Sequence, residues 1–327
     1  MRKLSALEIC AGAGGQALGL ELAGFDCSAA VEIDKDACLT LKANRPNIDV
    51  RCADLRALNG REFRGIDLLA GGVPCPPFSI AGKQLGSNDE RDLFPTALRL
   101  IEESRPTAVL LENVRGLASA RFTDYRTSIL YQLSKLGYDA TWAVVEAADF
   151  GVPQLRPRFI LVGLKRRYFN NFAMPDPEAK TTTVAQAIGD LIASRGWRGY
   201  KKWQRLANFI APTLVGGSKK HGGADLGPTR AKRKWAELGI DGMGIADEPP
   251  PRNALINFKP RLTLRMAARI QGFPDEWEFL GKKTSQYRQI GNAFPPPVAH
   301  SVASQIRAAL EGKQPTLRKF SQLSICS

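Results

Sequence analysis

Up to Leu164 the chain alternates short β-branched or apolar runs with amphipathic stretches, and this alternation constrains its fold more than any other feature. Period-two runs separated by 3.6-period segments build an α/β sheet covered by helices on both faces, a doubly wound arrangement. The runs predict strands at residues 6–10, 27–33, 49–52, 66–71, 107–111, 140–147 and 159–164. The intervening periodicity predicts helices at 16–23, 35–44, 93–103 and 125–136. From Lys165 to about Lys259, clusters of Pro, Gly, Lys and Arg replace the pattern, so a second, irregular region is expected there. Order returns with helices at 262–271 and 298–310, the latter preceded by a stop at Pro295, Pro296 and Pro297.

Composition narrows the function classes. With 327 residues and 44% apolar content, the chain has enough core for one large domain or two unequal ones, which excludes disorder, collagen and coiled coil. No window approaches the roughly 18 apolar residues of a membrane span, and the first residues lack a signal-peptide core, so an intracellular protein is expected. The six cysteines form no C-x-x-C pair, and only His221 and His300 are present, so disulfide, zinc and His-based chemistry find little support. Charge is uneven: up to Ile160 there are 19 Lys and Arg against 20 Asp and Glu, and after it 27 against 12. Arg195 to Lys234 holds 11 basic residues, Lys219, Lys220, Arg230, Lys232, Arg233 and Lys234 among them, with one acidic residue, Asp225. Trp197, Tyr200, Trp203, Phe209 and Trp235 lie among or beside these charges, and the combination points to a polyanionic partner.

The turn Ala11, Gly12, Ala13, Gly14, Gly15 follows the first predicted strand and opens a helix, whose free N–H groups suit a ligand's polar end. Glu32 stands 20 residues after Gly12, the spacing at which a carboxylate accepts from ribose hydroxyls, and Asp54 after the third strand suits an adenine amino group. Together they indicate an adenosine-bearing cofactor. Cys75 follows the fourth strand between Pro74 and Pro76, on the carboxyl edge where open α/β sheets bind ligands. Cys10, Cys27, Cys38 and Cys52 lie in or beside apolar segments and read as buried structural cysteines. Glu112 ends the next strand on the same edge as Cys75, a general acid facing a thiol. Arg156 and Arg158 alternate in extended backbone, where they would point to one side and grip a phosphate and a carbonyl oxygen.

These residues carry a family resemblance. The blocks LEICAGAGG, VEIDKDA, ADL, GGVPCPPFSIAGKQ, RDLFP, ENV and QLRPRFILVG, followed by RLTLRMAARIQGFPDEW and YRQIGNAFPPPVAHSV, stand in the order of a bacterial restriction-modification DNA (cytosine-5)-methyltransferase, which the chain resembles. The resemblance implies a Rossmann-like fold that uses S-adenosyl-L-methionine and releases S-adenosyl-L-homocysteine. It implies a catalytic and cofactor-binding part at 1–164 plus 285–312, a target-recognition part at 165–284 and a tail at 313–327. Cys75 would add to C6 of a flipped-out cytosine, Glu112 would hold the exocyclic amino group and N3, Arg158 O2, and Arg156 a phosphate or the loop around Cys75. Gly12, Ala13, Gly14, Gly15, Asn292 and Ala293 would hold the methionine end, Glu32 and Ile33 the ribose, Asp54 and Leu55 the adenine edge, with Pro74 alongside. Ser79 and Lys83 would meet DNA on a closing loop. Double-stranded DNA is the implied partner, with a paired restriction endonuclease, a monomeric cytoplasmic enzyme near the nucleoid and no membrane. Two positions depart from the common pattern: Cys10 stands where many members have Phe, and Pro76 where many have Gln. A tRNA cytosine-5 methyltransferase shares the catalytic blocks, and a non-catalytic DNA-binding regulator is the other alternative; intact Cys75 and Glu112 argue against the latter.

Overall fold

The computed structural model describes residues 3–74, 92–177, 181–216 and 223–314. Five parallel strands, β1 (Leu4–Ile9), β2 (Phe25–Glu32), β3 (Asp49–Cys52), β4 (Leu68–Gly72) and β5 (Ala108–Val114), form most of the central sheet. It is completed by β6 (Tyr138–Glu146) and, beyond the short β7 (Gln154–Leu155), by β8 (Pro157–Lys165), which runs antiparallel to both its neighbours. The order is β3-β2-β1-β4-β5-β8-β6, and β7 pairs instead with β9 (Ala211–Pro212). Strand order reverses between β1 and β4, which opens a crevice at their carboxyl ends.

The helices are α1 (Gly15–Leu22), α2 (Lys35–Asn44), α3 (Phe94–Ser104), α4 (Thr123–Lys135), α5 (Arg166–Phe169), α6 (Val184–Ala193), α7 (Tyr200–Leu206), α8 (Thr229–Glu237), α9 (Leu264–Ile270), α10 (Lys283–Asn292) and α11 (Pro296–Leu310). Alternating strand residues separate the two faces. Ala6, Leu68, Leu110 and Val162 pack under Leu20 of α1 and Val298 and Val302 of α11, whereas Leu7, Leu69, Val109 and Leu161 meet Phe94, Ile101 and Leu133 of α3 and α4. This is a doubly wound α/β fold with helices on both faces of the sheet, as expected.

The segment expected to be irregular is so only in part. It folds α6, α7 and α8 around Trp197, Trp203 and Trp235, which are 3%, 2% and 0% exposed. Three aromatics that looked available to a polyanion are therefore core, because each is the one large apolar side chain its short segment has to bury; Phe209 alone stays exposed. One hydrophobic cluster joins this core to Leu18 of α1 and Leu41 of α2 through Phe273, Trp277 and Tyr287. Pro296 opens α11 rather than stopping a helix, since a first-turn residue has no intrahelical partner for its N–H. Cys27 and Cys38 are buried as expected, but Cys52 is exposed at the end of β3 and Cys10 is half-buried. Among the described residues no helix is long and apolar enough to cross a membrane.

Candidate active site

The crevice where strand order reverses contains a cavity of about 300 Å³. Its floor is the turn after β1, where Cys10, Gly12 and Gly14 all have positive φ (51°, 54° and 86°) and swing the chain into α1. A Cβ on Gly15 would lie 2.5 Å from the Phe294 carbonyl, so that close approach requires glycine. Glu32 accepts from the amides of Gly12 (2.8 Å), Ile33 (2.8 Å) and Asp34 (2.7 Å), so both carboxylate oxygens are fixed while Oε2 keeps a lone pair toward the cavity. Burial, with Glu32, Glu8 and Asp54 nearby, pushes the Cys10 thiol up to about 12, so it remains protonated.

Seven of the expected cofactor residues, Gly12, Ala13, Gly15, Glu32, Pro74, Asn292 and Ala293, line this cavity. Four do not. Gly14 faces Leu41 and Trp277, Ile33 is exposed, Leu55 is buried in the core, and Asp54 caps the turn at Leu55–Ala57 while pairing with Arg56 at 3.0 Å. Sequence reasoning missed Trp277 as a support of the floor: its indole donates to the Ala13 carbonyl (3.2 Å), and Arg45 stacks on its ring. A larger crevice of about 820 Å³ opens beside Trp277, but its walls, including Leu22, Arg45, Pro274 and Pro297, carry none of these groups.

Glu112 stands at the other end of the cavity, beside Pro74. It pairs across β4 and β5 with Gly72, where a Cβ would come within 3.1 Å of its Oε2. Arg158, on the antiparallel β8, holds Glu112 Oε1 with its Nε at 2.8 Å, and both side chains are 13% exposed. Burial raises the Glu112 carboxyl above the ordinary range despite the opposing pull of Arg158 and Arg156. Cys75, Ser79 and Lys83 lie outside the described residues. The frame around them is described: Asn113 Nδ2 donates to the Val73 carbonyl (2.6 Å) and the Leu93 amide to the Pro74 carbonyl (3.2 Å).

Arg156 departs from expectation. It is 1% exposed and donates to the carbonyls of Leu214 (2.7 Å), Gly291 (2.7 Å) and Ala293 (3.0 Å). Its Nη1 and Nη2 are spent on protein carbonyls and the side chain is buried, which holds it away from a phosphate on the surface. Gln154 completes the clamp, accepting from the Leu214 amide and donating to the Ile270 carbonyl and to Gln271, which itself donates to the Ala293 carbonyl. The clamp ties the β9 segment to the turn carrying Asn292. Of the basic candidates, α8 carries Arg230, Lys232, Arg233 and Lys234, but Lys232 is committed to Asp225 at 2.8 Å. Lys219 and Lys220 lie outside the described residues.

The chain also resembles known proteins in sequence and fold. Residues 4–308 match the family described as C-5 cytosine-specific DNA methylase. The chain is 57% identical over 314 residues to the type II methyltransferase M.NaeI of Lentzea aerocolonigenes, covering 95% of this chain and 76% of that one. It is 52% identical over 313 residues to M.NgoMIV of Neisseria gonorrhoeae, covering 94% and 99%. The crystal structure of a DNMT2 variant from Spodoptera frugiperda superposes with a TM-score of 0.67 at 16% identity, over 93% of this chain and all of that one, a likeness of fold. The chain thus belongs to the C-5 cytosine-specific DNA methylases and is a DNA (cytosine-5)-methyltransferase of the restriction-modification type.

Proposed function

We propose that the enzyme transfers a methyl group from S-adenosylmethionine to C5 of a cytosine flipped out of duplex DNA, with Cys75 as covalent nucleophile. The observation that carries this reading is the Glu112–Arg158 pair at the end of the glycine-floored cavity, beside Pro74 and hence next in sequence to Cys75. The cavity fits the cofactor chemically: the glycine turn admits close backbone approach, Glu32 can accept from ribose hydroxyls, and buried polar atoms of Glu8 and Gln16 on its wall lack partners. Gly12, Ala13, Gly15, Asn292 and Ala293 would hold the methionine end. The bound cofactor supplies a methyl group on a positively charged sulfur.

The protein's residues supply the rest. C5 of cytosine is a weak nucleophile, so the Cys75 thiolate adds to C6 and moves an electron pair onto C5, which then takes the methyl group. Glu112, kept protonated to higher pH by burial, gives its proton to N3 as charge develops there, and Arg158 both orients Glu112 and reaches O2. Loss of the C5 proton to water expels the thiolate, N3 returns its proton to Glu112, and 5-methylcytosine is left. Since C5 and C6 are shielded in a stacked duplex, the base is flipped. The α6–α8 region reads the target, and a cognate endonuclease makes the methyl mark protective; the enzyme acts as a monomer.

Bisulfite sequencing of plasmid from cells expressing the chain tests activity, base and recognition site together, and absence of methylcytosine at any recurring sequence overturns the reading. Glu112→Gln should lower kcat by about 10²–10⁴-fold, the usual worth of a positioned acid. In the wild-type pH profile the Glu112 limb falls as pH rises through the carboxyl's raised pKa, because the proton needed for N3 is lost; that limb should vanish in the variant. Changing Lys219, Lys220, Arg233 and Lys234 to Gln should weaken specific and non-specific duplex binding alike. The slope of log K against log salt should become shallower by about 0.9 for each phosphate no longer neutralised; an unchanged slope would place the phosphate path elsewhere.

A further inference from the structure

Two cysteines meet behind Glu32, and the chemistry above uses neither. Cys38, near the start of α2, is 3% exposed, and its thiol donates to the Glu32 carbonyl at 3.3 Å. Cys52, at the end of β3, pairs with Glu32 across the parallel ladder, and the amide of the next residue, Ala53, donates to the same carbonyl at 3.0 Å. Both segments thus converge on one oxygen, which brings the Cys52 side chain into direct interaction with the Cys38 thiol. The two thiols are free, and they differ in access: Cys52 is exposed to any oxidant in solution, whereas Cys38 is covered. Disulfides inside cells are usually transient, so a free pair with one exposed member is suited to reversible oxidation rather than to a structural bridge.

We propose that Cys38 and Cys52 are a peroxide-sensitive pair whose disulfide loosens the cofactor site. The Cys52 sulfur takes one oxygen from hydrogen peroxide, giving a sulfenic acid and water; the Cys38 sulfur then attacks it, and the Cys38 proton leaves with the hydroxyl as a second water. Two thiols together lose two electrons, one peroxide gains them, and a thiol reductant reverses the change. Burial and the neighbouring Cys52 push the Cys38 thiol up to about 12, so the closing step is slow at neutral pH and quickens as pH rises. A disulfide needs its sulfurs about 2 Å apart, closer than two thiols in contact can lie, and it removes the S–H that donates to Glu32. Closing the pair therefore draws the start of α2 toward β3. Asp34, which caps α2, and Ala37 in its first turn line the cavity together with Glu32, so the pocket is displaced. This consequence rests on the reading of the cavity as the S-adenosylmethionine site.

Peroxide treatment of the full chain in a Cys75→Ser background tests the proposal without turnover, since oxidation of Cys75 then cannot contribute. Tryptic digestion without reductant should yield the peptide 36–42 joined to the peptide 52–56, lighter by two hydrogens than their sum. Calorimetric titration of the oxidised chain should show S-adenosylhomocysteine binding weakened by about fivefold or more, and dithiothreitol should restore both mass and affinity. A further Cys52→Ser substitution, at an exposed position, should abolish the cross-link and leave the affinity unchanged by peroxide. Absence of the joined peptide, a joined peptide with unaltered affinity, or the same loss of affinity in the Cys52→Ser chain overturns the switch while leaving the cofactor reading intact. Failure of the reduced chain to bind S-adenosylhomocysteine overturns the cofactor reading and the switch with it.

Discussion

Cys75→Ser should retain less than about 1% of methyl transfer while binding duplex and cofactor as the wild type does. A serine hydroxyl fills the thiol's space, but its far higher pKa leaves almost no alkoxide to add to C6, and covalent activation carries several kcal/mol of the barrier. A companion measurement places cysteine against its substitute directly. With 5-fluorocytosine in the target, fluorine cannot depart as a cation, so elimination stalls after methyl transfer. A denaturation-resistant protein–DNA adduct should accumulate with wild type only when S-adenosylmethionine is present, and should be absent with the variant. Methylation by Cys75→Ser above about 1%, or an adduct in its hands, would remove Cys75 from the nucleophile's role.

How much of this was legible in the sequence depends on what each element buries. Most strands of the central sheet announce themselves as short apolar runs between turn-formers, and β3 and α2 occupy the expected residues without a shift. Helices α7 and α8 were invisible for the opposite reason: each buries a single residue, Trp203 and Trp235, and presents a basic surface elsewhere, so no i, i+3, i+4 stripe exists to be seen. Helix α10 hides its inward face among Ser285, Tyr287 and Gln289, polar residues whose burial only tertiary partners reveal; Gln289, for example, accepts from the Thr40 hydroxyl at 2.7 Å.

The site divides along the same line. Glu112 could be placed in advance because it ends a strand on the edge that carries Cys75, whereas its pairing with Arg158 appears only once β8 runs antiparallel beside β5. The clamp of Gln154, Arg156 and Gln271 could not, since its acceptors are main-chain carbonyls at Leu214, Gly291 and Ala293, far away in sequence and chemically anonymous. Gly216 and Gly291 are part of the same blind spot: a Cβ on Gly291 would lie 2.5 Å from the Gly216 backbone, so the two glycines let the segment after β9 lie directly against the Asn292 turn.

Arg156→Met separates the two roles this arginine has been given. As a phosphate ligand it would be dispensable to folding, and its removal would reduce the salt slope of DNA binding by about 0.9 with melting unchanged. As the clamp, its removal leaves the Leu214 and Gly291 carbonyls without this donor in a buried site, at about 1 kcal/mol or more each, and leaves the Ala293 carbonyl to Gln271 alone. A total of about 2 kcal/mol, spread over an unfolding entropy of ~2.1 cal/mol/K per residue, lowers Tm by about 3 °C for a chain of this length. Methionine fills most of the volume, so the fall reflects hydrogen bonding rather than a cavity. Cofactor affinity should fall with it, because Asn292 and Ala293 line the cavity and are deprived of the guanidinium that holds their turn. Lysine should rescue little: its single ammonium has no planar fork with which to span three carbonyls on two separate segments. An unchanged Tm with a shallower salt slope would return Arg156 to the DNA backbone.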